Sequence, residues 1–141
     1  MPLSLFVEEM REEMLRRQDL DPLFKTKLKG LTFRLVMLSL VAPGNQDRQM
    51  AMNLQGGRFI NIVYDIQPAP SELRTMPFDR NRFDARVTAS HDLFVDLCQG
   101  KVDIMNAFTK VKIEGDMSKL MGQIEGFVGL IDYLGSMDIA P

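Results

Sequence analysis

The sequence predicts an α+β fold in which a five-stranded, mostly antiparallel sheet has one face covered by helices. Two patterns carry this prediction. Between residues 31 and 66, apolar and polar side chains alternate with the period of two that is typical of strands, whereas both ends of the chain place apolar residues at helical spacing. The chain of 141 residues has a length that suits one domain, covering 1–141, around a single core.

Two helices are predicted before the first strand. Ser4 is a suitable N-cap for the first helix, because its hydroxyl can accept a hydrogen bond from an N–H group of the first turn. Asp21 and Pro22 have the residue types expected at the start of the second helix, and Gly30 is a typical stop. The apolar faces of the two helices would carry Phe6, Val7, Met10 and Met14, and then Leu23, Phe24 and Leu28.

Three consecutive strands are predicted next, and they form a meander with one face toward the helices and one toward water. The first strand begins within residues 31–37, and turn-forming residues fill positions 43–47. The Gly56-Gly57 pair is typical of a two-residue hairpin between the second and third strands. The apolar face would carry Leu31, Phe33, Leu35 and Met37, then Met50, Met52 and Leu54, and then Ile60, Ile62, Tyr64 and Ile66.

The second half of the chain supplies the remaining strands and helices. A long connection with several prolines covers residues 67–82, and a fourth strand is expected at 83–89. Ser90 is the expected N-cap of the helix that follows, and Asp103 begins a further single turn. A fifth strand is expected at 109–114.

The C-terminal helix has an apolar stripe without a reactive side chain, a pattern that favours holding an apolar ligand over transforming one. Beside the stripe lie Gly122, Gly126 and Gly129, each of which costs a helix about 1 kcal/mol relative to alanine. Two interpretations follow: the helix packs closely on a neighbour or breaks near Gly126, or residues 127–134 form a weakly held lid. The stripe consists of Met117, Leu120, Met121, Ile124, Phe127, Val128 and Ile131.

Composition excludes several classes of function. The formal net charge of −2 gives no excess of positive charge of the kind that binds nucleic-acid phosphates, so we expect no nucleic-acid partner. No window approaches the roughly 18 apolar residues of a membrane-spanning helix, and the glutamates near the N-terminus do not suit a signal peptide. A single cysteine, Cys98, rules out a disulfide within the chain and favours a reducing compartment, which predicts a cytoplasmic location. Eleven methionines, whose side chains are flexible, suit a core that adapts to bound molecules of different shape or that fills irregular spaces.

The residues offer little for catalysis. His91 is the only histidine, and we expect it at the surface without a catalytic role; Cys98 is interpreted as a small buried hydrophobe. Two acid/base pairs are conceivable on spacing, Asp84 with Asp92 and Glu114 with Asp116, but strand polar faces and helix starts explain these carboxylates. No cluster of residues has the spacing of a metal site. We therefore expect no enzymatic activity, no cofactor and no metal.

The region from residue 90 to residue 119 resembles the sterol carrier protein type-2 (sterol-transfer) domain family. In the family, the stretch between the Ala-Phe pair and the following strand has two more residues. Because side chains alternate with a period of two along a strand, the loss of two residues leaves Val111 and Ile113 facing inward. The tail beyond Met121 is also longer and more apolar than the family pattern. The motifs that carry the resemblance are Ser90-His91-Asp92-Leu93-Phe94, Gly100-Lys101, Ala107-Phe108 and Lys112-Ile113-Glu114-Gly115-Asp116-Met117.

The resemblance implies an apolar tunnel between sheet and helices that binds a hydrophobic small molecule: a sterol, a fatty acid or a fatty acyl-CoA. Transient membrane contact is compatible with such a carrier. The alternative is a non-catalytic interaction subunit with the same fold and a filled core, including a homodimer, because a tunnel wall and a core wall have the same pattern. The residues expected to bind the ligand are Phe94, Leu97, Met105, Phe108, Met117, Leu120, Met121, Ile124 and Phe127 from the helices, with Met50, Met52, Ile60 and Ile62 from the sheet.

Overall fold

The structure, a computed structural model, describes residues 2–140 and has the α+β architecture that the sequence predicts. Its helices are α1 (Glu8–Leu20), α2 (Phe24–Lys27), α3 (His91–Cys98), α4 (Ile104–Ala107), α5 (Met117–Gly122) and α6 (Ile124–Gly135). Its strands are β1 (Phe33–Ala42), β2 (Gln46–Gln55), β3 (Arg58–Pro68), β4 (Ala85–Ser90) and β5 (Lys112–Gly115), with a short 3₁₀ turn at Glu72–Arg74 between β3 and β4. None of the helices within 2–140 has the length and apolar character needed to cross a membrane.

The five strands form one mixed sheet in the order β3-β2-β1-β4-β5. Three of the four neighbouring pairs are antiparallel, as expected, whereas β1 and β4 run parallel. The parallel pair arises because the connection after β3 crosses the sheet before β4 begins on the other side of β1. This arrangement puts β1 at the centre of the sheet, between β2 and β4.

The hairpin between β2 and β3 confirms one local prediction and corrects another. Gly56 and Gly57 both have positive φ angles, 57° and 80°, as a two-residue hairpin of this kind requires. A register shift then occurs where Leu54 pairs with Phe59 but Asn53 pairs with Asn61. The extra residue in β3 is Ile60, whose side chain is 56% exposed, so the predicted inward position of Ile60 is wrong.

Capping is confirmed at two of the predicted positions. The side chain of Ser90 accepts a hydrogen bond from the N–H of Leu93, and that of Asp103 accepts one from Asn106. Ser4, in contrast, does not cap α1; its hydroxyl accepts a hydrogen bond of 2.6 Å from the buried guanidinium of Arg48. The segment before α1 is therefore held by the sheet rather than by the helix.

The C-terminal stripe is divided between two helices, and the break is at Gln123 rather than near Gly126. The amide of Gln123 forms two hydrogen bonds of 2.9 Å with the backbone N–H and C=O of Thr32, just before β1. The chain turns there because the side chain of Gln123 fastens the α5–α6 junction to the sheet. Met117 and Met121 lie on α5, so they do not continue the face that Phe127 presents on α6.

Close packing explains two of the glycines in this region. A Cβ atom on Gly129 would overlap the carbonyl oxygen of Lys27 at the end of α2, and one on Gly126 would lie 3.0 Å from the carbonyl oxygen of Leu28. A Cβ on Gly122, by comparison, would meet nothing within 4 Å. The structure therefore favours the packing interpretation for Gly126 and Gly129.

Candidate functional site

An apolar cavity of about 80 Å³ lies between the sheet and the helices. Its floor is formed by β1 and β4, and its walls by α3, α4 and α6 together with single residues of the connecting segments. Every lining residue is apolar. They are Phe6, Leu35, Met37, Val87, Phe94, Leu97, Cys98, Ile104, Ala107, Phe108, Val111, Leu120, Phe127, Leu130, Ile131 and Leu134.

Aromatic contacts fix the walls of this cavity. The ring of Phe127 meets that of Phe33 edge to face, with 5.0 Å between centroids, and this contact attaches α6 to β1. The rings of Phe6 and Phe94 meet in the same way at 5.2 Å, which joins the segment before α1 to α3. Edge-to-face pairs of this kind contribute about 0.5–1.5 kcal/mol beyond the area they bury. These two contacts therefore hold α6 and α3, which form two walls of the cavity, against neighbouring parts of the core.

The rim of the cavity is its most accessible part. Ile104, Phe108, Val111 and Ile131 line the cavity and are only half-buried. They come from α4, from the segment before β5 and from α6, so the rim lies where these three elements meet. Val87 on β4 is also half-buried, and the other lining residues are buried.

Five of the thirteen residues expected to bind a ligand line the cavity: Phe94, Leu97, Phe108, Leu120 and Phe127.

The other eight do not line it. Met105, Met117 and Met121 are exposed on α4 and α5. Ile124 faces a different surface hollow beside Lys29, and Ile60 is exposed by the bulge in β3. Met50, Met52 and Ile62 are buried in the core but lie outside the cavity lining, because the cavity lies over β1 and β4 while β2 and β3 are on the other side of β1. The expected site had one continuous C-terminal helix over a meander, whereas the helix breaks at Gln123 and β4 pairs with β1.

The structure also adds lining residues that were missed. Leu35 and Met37 were expected on the inward face of β1, and Val87 on β4, but none was assigned to the site. Their alternation along the strands was the available signal. What the sequence did not reveal is that β1 and β4 are neighbours, so the floor could not be placed correctly.

His91 is buried rather than at the surface, which corrects the expectation from sequence. Only 2% of the residue is exposed, and its Nδ1 atom lies 2.9 Å from the hydroxyl oxygen of Ser39. Burial lowers the pKa of His91, and the nearby charge of Arg48 lowers it further. His91 does not line the cavity, since α3 directs Phe94 and Leu97 there instead.

Cys98 is the one lining residue with a potentially reactive group, and it is buried as predicted. Burial raises the pKa of its thiol to about 12, so almost none of it is the thiolate that reacts. We expect the native protein to react with 5,5′-dithiobis(2-nitrobenzoate) at least about a hundredfold more slowly than the chain unfolded in urea. Equal rates would contradict the placement of Cys98 in the cavity wall.

The carboxylates considered as acid/base pairs are held in structural contacts. Asp84 forms ion pairs of 3.0 Å with both Arg34 and Lys119. Burial alone would raise the pKa of Asp84, but the hydrogen bonds from Arg34 and Lys119 outweigh it and lower the pKa to about 2. Glu114 pairs with Arg86 at 2.8 Å, and Asp116 caps α5 by accepting from the N–H of Lys119.

Asp92 lies in the first turn of α3. Between residues 2 and 140, no three His, Cys, Asp or Glu side chains are grouped so that they could hold a metal ion.

Known proteins share the fold described above. A model of the SCP-2 sterol transfer family matches residues 13–125, and no curated protein matches the chain significantly. Among solved structures, a crystal structure of sterol carrier protein 2 superposes with a TM-score of 0.70 at 12% identity, covering 97% of this chain and 100% of that one. A conserved hypothetical protein of Thermus thermophilus, suggested to be a sterol carrier protein, gives 0.69 at 12% identity and covers 98% and 92%.

UbiJ-SCP2, a ubiquinone synthesis protein, gives a TM-score of 0.52 at 16% identity, with 99% of both chains covered. At such low identity these structures establish the fold alone. The family match covers most of the chain and includes residues from the sheet and from α3, α4 and α5. The chain therefore belongs to the SCP-2 sterol transfer family.

Proposed function

We propose that this protein binds a single apolar lipid, a sterol, a fatty acid or a fatty acyl-CoA, in the cavity between the sheet and the helices. The observation that carries the proposal is the chemistry of the cavity lining, which is apolar throughout and has a half-buried apolar rim. Water gains no hydrogen bonds in such a space, whereas an alkyl chain gains about 0.8 kcal/mol for each buried CH₂ group. Length and shape, rather than polar contacts, would select the ligand.

Binding a long ligand requires the cavity to widen. A volume of about 80 Å³ is small beside the roughly 300–1,000 Å³ of sites that bind drug-sized molecules. The half-buried rim is the place where widening costs least, because its side chains already contact solvent. Leu120 ties α5 to this cavity, and Lys119 and Gln123 fasten α5 to Asp84 and Thr32. Because these contacts hold α5 in place, we expect α4 to move outward when lipid enters.

Transfer of the bound lipid to a membrane is the second part of the proposal. Met105 exposes an apolar side chain on α4, the helix expected to move, and Met117 and Met121 expose theirs on α5. Contact of these side chains with a bilayer would let lipid pass without crossing water. Transfer of a fluorescent fatty acid from protein to vesicles should speed up as vesicle concentration rises; a rate independent of vesicle concentration would indicate release into water instead.

We propose that the protein acts on its ligand without chemical change. This part of the proposal is supported by the cavity lining, whose side chains include no acid or base. The thiol of Cys98 is kept protonated by burial, so it is not an activated nucleophile. Lipid recovered after incubation should be unaltered by mass spectrometry. Turnover of a lipid ester that exceeds the rate without protein would contradict it.

Two tryptophan variants on α6 test the site. Ile131 lines the rim and Val128 is exposed on the same helix, away from the cavity. Ile131→Trp should fill the rim and weaken fatty-acid binding by about tenfold, equivalent to losing roughly two buried methylene groups. Val128→Trp should bind as the parent protein does. Titration with a fluorescent fatty acid measures both, and equal affinities would contradict the proposed site.

A filled-core interaction subunit is the alternative, and the small size of the cavity is the observation that favours it. In that case the exposed apolar side chains of α4 and α5 would contact a second copy of the chain. The molar mass in solution would then rise with protein concentration, and no lipid would bind at any concentration.

A further inference from the structure

A second hollow, here called the outer groove, lies on the face of the sheet opposite the helices and has a volume of about 510 Å³. Its floor is formed by Val36, Ala51 and Val63, which the strand register aligns side by side across β1, β2 and β3. Its roof is formed by residues 76–78 of the connection between β3 and β4. The groove therefore has small apolar side chains on its floor and apolar side chains on its roof.

The connection that forms the roof is attached to the sheet both before and after residues 76–78. Before it, Arg74 donates two hydrogen bonds of 2.7 and 2.9 Å to the buried carboxylate of Asp47, and Leu73 is buried. After it, the guanidinium of Arg34 donates a hydrogen bond of 2.9 Å to the carbonyl oxygen of Asn81. The outer groove is therefore preformed, so a ligand need not order the loop on binding.

Charge is unevenly distributed along the groove. Arg34 on β1, Arg86 on β4 and Arg82 just before β4 line one side, whereas Asp65 lines the side that belongs to β3. Asp79 also lines the groove, and its carboxylate accepts a hydrogen bond from the backbone N–H of Asn81.

Arg82 is the groove arginine that remains available to an anion. The guanidinium of Arg34 donates to Asp84 and to the carbonyl oxygen of Asn81, and that of Arg86 donates to Glu114. Arg82 forms no ion pair among residues 2–140, and its guanidinium carbon lies 5.2 Å from the centre of the Phe83 ring. An anion placed beside Arg82 would form charge-assisted hydrogen bonds.

We propose that the outer groove binds a small, flat, apolar molecule that carries one carboxylate or a similar anionic group. The ring system lies between the floor and the roof, and the anion faces Arg82. The amides of Gln49, Asn53 and Asn61 on the lining supply further hydrogen-bond donors and acceptors for its edges. This site lies across the sheet from the lipid cavity and does not depend on the lipid proposal.

The test uses 2-naphthoate, a two-ring carboxylate, added to the full chain and followed by changes in backbone amide NMR signals. We expect saturable shifts centred on β2, β3 and residues 76–83. Val63→Glu should weaken binding at least tenfold, because it places a carboxylate on the floor, and Arg82→Gln should weaken it severalfold. Matched controls are Leu23→Glu, an exposed apolar residue outside the groove, and Lys101→Gln; both should bind as the parent does.

Three outcomes would overturn the proposal. One is the absence of saturable shifts. Another is a Val63→Glu or Arg82→Gln variant that binds as tightly as its control. The third is a set of saturable shifts centred on Phe94, Leu97 and Phe127, because these would place the probe in the lipid cavity. Arg82 is exposed, so its variant should fold even if Val63→Glu does not.

Discussion

Replacing Asp47 with alanine is expected to lower the free energy of unfolding by about 2–4 kcal/mol, because it leaves the half-buried guanidinium of Arg74 and three further donors unpaired. The carboxylate is fully buried and accepts hydrogen bonds from the backbone N–H groups of Val41 and Ser71, from the hydroxyl of Ser71, and from the guanidinium of Arg74. These contacts join the β1–β2 hairpin to the connection after β3. Urea denaturation measures the loss.

Asp19→Ala is the matched control. Asp19 is exposed and pairs with Arg58 at 3.4 Å, an arrangement typically worth no more than about 1 kcal/mol. A loss below about 1 kcal/mol for Asp47→Ala, equal to that of the control, would contradict the role assigned to Asp47.

The contribution of Asp47 should also depend on pH. The hydrogen bonds from Arg74 hold the pKa of Asp47 well below its usual range, against the opposing effect of burial. Because the folded pKa lies below the unfolded one, the stabilisation is full above the unfolded value of about 3.9 and is lost as pH falls below it toward the folded pKa. The stability difference between the parent and Asp47→Ala should therefore be constant from pH 7 to 5 and narrow below about pH 4.

Gly129→Ala is expected to destabilise the protein by about 2–3 kcal/mol, although alanine is the better helix former by about 1 kcal/mol. The added methyl group would overlap the carbonyl oxygen of Lys27, and backbone cannot move aside as a flexible side chain can. Relieving that overlap requires α6 to move away from α2.

Gly122→Ala supplies the comparison on the same C-terminal segment. Nothing lies within 4 Å of the position of its Cβ, so it should be neutral or slightly stabilising. If both variants shifted the denaturation midpoint in the same direction, close packing would not explain Gly129. The outcome also bears on the lid interpretation, since a helix held this closely to α2 is not weakly attached.

Local signals in the sequence predicted the architecture well. The Gly56-Gly57 hairpin and the caps at Ser90 and Asp103 each depend on residues close in sequence, and all three are present. Alternation also predicted that Leu35 and Met37 face inward, where they form the cavity floor.

The predictions that were wrong concern features that depend on contacts between residues far apart in the sequence. The break at Gln123 depends on hydrogen bonds to Thr32, 91 positions away, so an uninterrupted stripe from Met117 to Ile131 was misleading. The bulge at Ile60 and the burial of His91 against Ser39 likewise depend on partners in other strands. For the site, Met117 and Met121 are exposed on α5, whereas Leu120 between them lines the cavity.

The measurement that tests lipid binding most directly is the lipid content of the protein purified under native conditions, determined by solvent extraction and mass spectrometry with a stoichiometry. We predict close to one lipid per chain in the parent, from the sterol, fatty-acid or acyl-CoA classes, and clearly less in Ile131→Trp. A parent protein that carries no lipid and fails to bind added fluorescent fatty acids would contradict the proposal and favour the filled-core interaction subunit.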